Sequence, residues 1–94
     1  MTGVTWSIRS RRDLRRAFDY FLQIDADLAL RIVGLIEGKA AWLVDFPGVG
    51  TPIELGLRKV RVAGTPYLVV YREQRSGGIA IARIHHAAED WRQP

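Results

Sequence analysis

The chain has no cysteine among its 94 residues, which excludes disulfide staples and thiolate metal sites and fits a reducing compartment. No apolar run approaches the ~20 residues that cross a bilayer. The opening MTGVTWSIRS lacks the apolar core of a signal peptide, so a soluble cytoplasmic protein with no membrane contact is expected. Lysine is scarce as well. Twelve of the fourteen cations are arginine, which suits bidentate contacts to phosphate or carboxylate. The glycines of FPGVG and SGG read as turns rather than phosphate loops, and HHAAE is too short for a metal site. No cofactor and no metal are expected.

What remains is the composition of an ordinary folded protein, 48% hydrophobic and 26% charged. A chain this short holds one core, so residues 1–94 are expected to form a single domain. Its limited buried surface makes a partner chain that extends the core a reasonable expectation. The formal net charge of +4 admits a nucleic acid or an acidic protein as partner, and equally a solvated basic surface.

Taken in order, Val4-Thr5-Trp6 is a short strand, and Ser7 or Ser10 can cap the helix behind it. Ser10 to Asp13 fits a capping box with aspartate in place of glutamate. Leu14, Ala17, Phe18, Phe21 and Leu22 mark one apolar helix face, with Arg11, Arg12, Arg15 and Arg16 largely off it. Phosphate contact or a solvated face would each explain those arginines. Asp25 or Asp27 caps a second helix running to about Phe46, whose apolar arc is widened by Leu28, Leu35, Trp42 and Phe46. A helix that broadly apolar packs on two things, and a subunit contact is one way to supply the second.

Two prolines and two glycines between Phe46 and Pro52 force a turn or loop. A strand from about Arg58 to Ala63 follows, with Val60 and Val62 on the face of Arg58. Tyr67 to Glu73 and Ile79 to Ile84 then form a hairpin around Ser76-Gly77-Gly78. Strict alternation puts Ala80, Ala82, Ile84 and His86 on one face and Ile79, Ile81, Arg83 and His85 on the other. The order β-α-α-β-β-β predicts an α+β fold: an N-terminal strand and an α-helical hairpin packed on a three- to four-stranded antiparallel sheet.

Four strings occur in a telling order: VTWS, FPGVG, LRKVRVAGTPYLVVYR and IARIHHAAEDW. With them the chain resembles, over nearly its whole length, the ParE branch of the ParE/RelE toxin superfamily. The resemblance implies a RelE/ParE-like fold and the toxic half of a bacterial type II toxin–antitoxin pair, of the kind tied to plasmid stabilisation. A cognate antitoxin would wrap over the toxin, and Phe18, Phe21, Leu28, Leu35 and Trp42 are the residues expected to meet it. On the ParE pattern the target is DNA gyrase, trapped in its cleaved-DNA state by a non-enzymatic inhibitor. On the RelE pattern the toxin is an endoribonuclease that cuts messenger RNA in the ribosome.

Arg58 and Arg83 match basic positions that are catalytic in the RelE-like nucleases, and His85 or His86 could transfer protons near neutral pH. The stretch before Arg58, GTPIELGL, carries no lysine where those nucleases have a basic loop, and Trp91 stands where they usually have tyrosine or histidine. Arg58, Arg83, His85, His86 and Trp91 are therefore expected to recognise a target rather than to cut one. Arg58 could instead pair with Glu54, Glu73 or Asp90, and one of the two histidines could be buried and hydrogen-bonded.

Overall fold

The computed structural model describes residues 3–88, and its two helices begin at serine and aspartate caps. Ser7 adopts an extended backbone and its Oγ accepts from the Ser10 amide at 3.0 Å, opening α1 (Ile8–Leu22). Ser10 is not the cap. It is buried, its hydroxyl donates to the Ser7 carbonyl, and Asp13 turns inward instead of completing a capping box. Asp25 caps α2 (Ala26–Trp42), accepting from the Asp27 amide at 2.9 Å. This helix stops at Trp42 rather than near Phe46, with Leu43 as its C-cap. Phe46 precedes proline, which disfavours helical backbone there.

The strands are β1 (Val4–Trp6), β2 (Thr51–Pro52), β3 (Arg58–Arg61), β4 (Tyr67–Glu73) and β5 (Ile79–His86), in the sheet order β1-β5-β4-β3-β2. With two helices packed on this sheet the fold is α+β, as expected. The antiparallel meander of β3, β4 and β5 is also as expected. Two details differ. Thr51 and Pro52 add a two-residue edge strand beside Lys59 and Arg58, a place where proline's missing N–H is tolerated. β1 joins β5 in parallel, from Val4↔Ile79 to Trp6↔Ile81, so the sheet has five strands and is mixed.

β5 also departs from strict alternation. Val70 pairs with Arg83 and Tyr71 with Ile81, which leaves Ala82 as an extra residue, a β-bulge. Ile79 and Ile81 enter the core, and after the bulge Ile84 enters it too. Ile32, Ile36 and Leu43 of α2 and its cap pack with them against Val69 and Tyr71. Full burial of such a side chain stabilises by about 1.5–3 kcal/mol, and α2 supplies most of the fully buried apolar side chains of the helical layer, while α1 packs on β5. Gly78 has φ +86°, and a Cβ there would meet the Gly3 carbonyl oxygen at 2.7 Å. Only glycine lets the hairpin turn pass that close to the chain entering β1. No helix among the described residues is long and apolar enough to cross a membrane.

Candidate functional site

The β1–β5 ladder ends at Trp6↔Ile81, and beyond it the edge of β5 is met by the Ser7 hydroxyl, which donates to the Ala82 carbonyl, and then by Asp13 of α1. The Asp13 Oδ2 accepts from the Ile84 amide at 3.0 Å and from Arg83 Nε at 2.7 Å, and its Oδ1 accepts from Arg83 Nη2 at 3.1 Å. This is a bidentate pair, with the Asp13 side chain 5% exposed and that of Arg83 25%. The bulge at Ala82 lies directly before it and re-aims Arg83 towards the helix. Burial alone would raise the Asp13 pKa. Hydrogen bonds from Arg83 and the Ile84 amide, and the charges of Arg83 and His85, outweigh that and hold the carboxyl below its ordinary range.

Around this pair lies a small cleft of about 90 Å³, lined chiefly by Asp13, Arg16, Tyr67, Arg83, His85 and His86. His85 is 5% exposed, and His86 is exposed. The His86 Nδ1 accepts from the Ala88 amide at 3.1 Å, and its ring meets Tyr67 edge-on at 5.6 Å. Tyr67 in turn meets Phe21 at 6.3 Å, so aromatic rings connect the end of α1 to the end of β5. The cleft is small, with room for a few waters.

Arg58 lies elsewhere. It stands on β3, two strands from β5, and does not line the cleft. Its Nη1 donates to the carbonyls of Gly50 at 2.8 Å and Gly48 at 3.3 Å, so loop carbonyls replace the expected Glu54 or Glu73 carboxylates. Asp90 and Trp91 lie outside the described residues. The same loop is gripped by Tyr71, whose hydroxyl donates to the Pro47 carbonyl at 2.7 Å and accepts from the Gly50 amide at 2.9 Å. Arg58 and Tyr71 together staple FPGVG to the sheet.

Arg83, His85 and His86 are thus brought together, and Arg58 is not. Sequence reading missed Asp13, Arg16 and Tyr67 as neighbours of that cluster. One signal was available for Asp13: positions 13, 17 and 21 share a helical face, so this acid lies on the apolar stripe of α1.

The apolar candidates separate into different places. Leu35 and Trp42, 39% and 38% exposed, line an open groove of about 340 Å³ with Gly34, Gly38, Val62 and Ala63. Trp42 stacks on Phe46 at 4.7 Å, and Lys39 Nζ lies 4.3 Å from the tryptophan ring. Phe18 lines a second groove of about 240 Å³ with Leu14 and Val33. Phe21 and Leu28 pack against the core. Among the described residues no group of three or more His, Cys, Asp or Glu side chains could hold a metal ion.

The family model of the ParE toxin of type II toxin–antitoxin systems, parDE, matches residues 4–91. Among solved structures the chain is similar to the chromosomal ParDE toxin–antitoxin system of P. aeruginosa, at 26% identity and a TM-score of 0.78, over 92% of this chain and 96% of that one. It shares its fold with a chain of the toxin–antitoxin complex RelBE2 of Mycobacterium tuberculosis, at 23% identity and a TM-score of 0.60, over 90% of this chain and 96% of that one. No curated protein sequence matches it.

Proposed function

Because the chain belongs to the ParE toxin family, we propose that it is the toxin of a type II pair, silenced by a cognate antitoxin, and that it acts in the cytoplasm by binding DNA gyrase rather than by cutting RNA. The state of Arg83 supports the choice. A nuclease of this fold needs cations directed at the phosphate transition state. Here Arg83 is held bidentate by a buried carboxylate, and Arg58 is turned into a loop. Both arginines carry structure, which favours recognition over catalysis. Purified toxin is expected to inhibit gyrase supercoiling and to accumulate cleaved DNA. Normal supercoiling at saturating toxin, with codon-specific cuts in ribosome-bound message, would overturn this reading.

The second reading, a ribosome-dependent endonuclease, draws on His85, His86 and Arg16 meeting in one cleft. It requires His85→Ala or His86→Ala to abolish toxicity while leaving folding unchanged. Retained toxicity in both variants removes the nuclease reading.

For the antitoxin, the open groove at Leu35 and Trp42 is the proposed docking site on α2, because both side chains are exposed there beside small residues. Leu35→Asp and Trp42→Ala are each expected to weaken antitoxin binding about tenfold or more in calorimetric titration. Dissociation constants within twofold of the parent for both variants would place the antitoxin elsewhere.

A further inference from the structure

α1 carries five arginines against two aspartates, a net +3 within a protein of formal charge +4. Both aspartates are engaged, Asp13 by Arg83 and Asp19 by Arg15 at 3.0 Å. Arg9, Arg12 and Arg16 are exposed, and among the described residues no carboxylate pairs with any of them. At about 100° per residue the three fall within an arc of about 60°, on the flank of α1 that leads to the cleft. Arg16 itself lines that cleft beside His86 and Arg83.

The placement runs against helix stability. The first turn of α1 holds no acidic residue and instead presents arginine to the positive end of the helix dipole. Arg9 with Arg12, and Arg12 with Arg16, are like-charge neighbours at the i,i+3 and i,i+4 spacings that destabilise a helix. Local rules broken with no compensating carboxylate among the described residues point to an external partner. The spacing indicates its chemistry. Arg9 to Arg16 spans about 10.5 Å along the helix axis at about 1.5 Å per residue. That equals about three steps of the ~3.4 Å axial rise per phosphate on one strand of duplex DNA.

We propose that the Arg9–Arg12–Arg16 flank of α1 is a contact surface for the phosphodiester backbone of duplex DNA, reaching as far as the cleft at His86. Guanidinium groups bind phosphate oxygens bidentately, and the contact carries no base specificity. The surface is complete in the toxin itself, so the inference stands independently of the gyrase reading. A gyrase poison that holds cleaved DNA would have a use for it.

The test is fluorescence anisotropy of a labelled duplex of about 20 base pairs with the isolated toxin between about 50 and 200 mM salt. The parent is expected to bind with Kd between about 10⁻⁶ and 10⁻⁴ M near physiological salt, and more tightly at about 50 mM. In Arg9→Gln/Arg12→Gln/Arg16→Gln the slope of log K against log salt becomes shallower by about 2.7, so the parent loses about 40-fold more affinity than the variant over that range. Glutamine keeps the helix propensity, so folding is preserved. The control Arg31→Gln/Arg61→Gln/Arg75→Gln removes equal charge from other exposed positions and is expected to leave most of the slope in place. An equal effect of the control would reduce the parent's binding to net charge and overturn the proposal. So would an unchanged slope in the α1 variant, no binding by the parent at low salt, or tenfold tighter binding of the matching RNA duplex. An α1 variant that binds DNA like the parent yet fails to inhibit gyrase would assign the flank to a protein surface and also overturn it. DNA binding that follows the arginines without gyrase inhibition upholds this inference and refutes the gyrase reading alone.

Discussion

Asp13→Ala is expected to lower the free energy of unfolding by about 3 kcal/mol, the lower end of the 3–5 kcal/mol range for breaking a buried ion pair. The lower end applies because Arg83 keeps 25% of its side chain in solvent. Two groups lose their acceptor at once, the guanidinium and the Ile84 amide, and the amide has no strand neighbour from β1 to replace it. In a domain of this size the thermal midpoint should fall by about 12 °C or more. Asp13→Asn keeps one oxygen for the Ile84 amide and should lose about half as much. Arg83→Ala combined with Asp13→Ala should destabilise by clearly less than the sum, because the two singles remove the same contacts. Urea denaturation of the four proteins tests this, and an Asp13→Ala variant within 1 kcal/mol of the parent would show the pair to be dispensable.

The same pair gives the protein an acid limit. The folded pKa of Asp13 is depressed, so the unfolded chain takes up its proton first as pH falls. The stabilisation is therefore fully present above the ordinary carboxylate range and is lost as pH drops through about 4 and below. The urea midpoint of the parent should fall more steeply between about pH 5 and 3 than that of Asp13→Asn. Parallel profiles would mean that other carboxylates set the limit.

Tyr71→Phe is the second large effect, an expected loss of about 2–3 kcal/mol from one oxygen atom. The ring stays, so no cavity of consequence forms. What is lost is a hydroxyl that serves two backbone groups, the Gly50 amide and the Pro47 carbonyl. A buried group left without its partner costs about 1–3 kcal/mol. Arg58 still holds the Gly50 carbonyl, so the loop should loosen without detaching. Amide exchange at Gly50 should accelerate well beyond the change seen in α2. Gly50→Ala attacks the same joint from the other side, since a Cβ there would sit 2.6 Å from the Tyr71 hydroxyl and 3.0 Å from the Lys59 carbonyl oxygen. Overpacking of this kind costs about 1–3 kcal/mol. Unchanged Gly50 exchange in Tyr71→Phe would contradict the staple.

These two joints show where the sequence was readable and where it was not. The caps, narrowed to Ser7 or Ser10 and to Asp25 or Asp27, the order of the longer elements and the glycine turn were legible because each is local. The parallel pairing of β1 with β5 was not. Three β-forming residues state that a strand exists, and nothing in them selects Ile79 as the partner of Val4. Arg83 looked like an available cation because its carboxylate lies seventy positions away in the chain, on a helix whose pattern invited a capping box. Arg58 looked like half of an ion pair, whereas its partners are carbonyl oxygens that every residue possesses. Even the bulge left a trace. In IAIARIHH the large apolar residues fall at 79, 81 and 84, a change of step that strict alternation does not allow. For the site, residue types pointed to the end of β5, but only the fold revealed which arginine is bound and which flank of α1 is open.

The position of β5 between β1 and β4 has a consequence for how the protein comes into being on the ribosome. Among the described residues the strand that completes the sheet is the last element made, and β1 on its far side waits for it. Until residue 86 has left the exit tunnel, β1 has no ladder, Asp13 has no cation and the core lacks Ile79, Ile81 and Ile84. Long-range closure of this kind folds late and slowly. A nascent or prematurely terminated chain therefore presents neither the cleft nor a finished sheet.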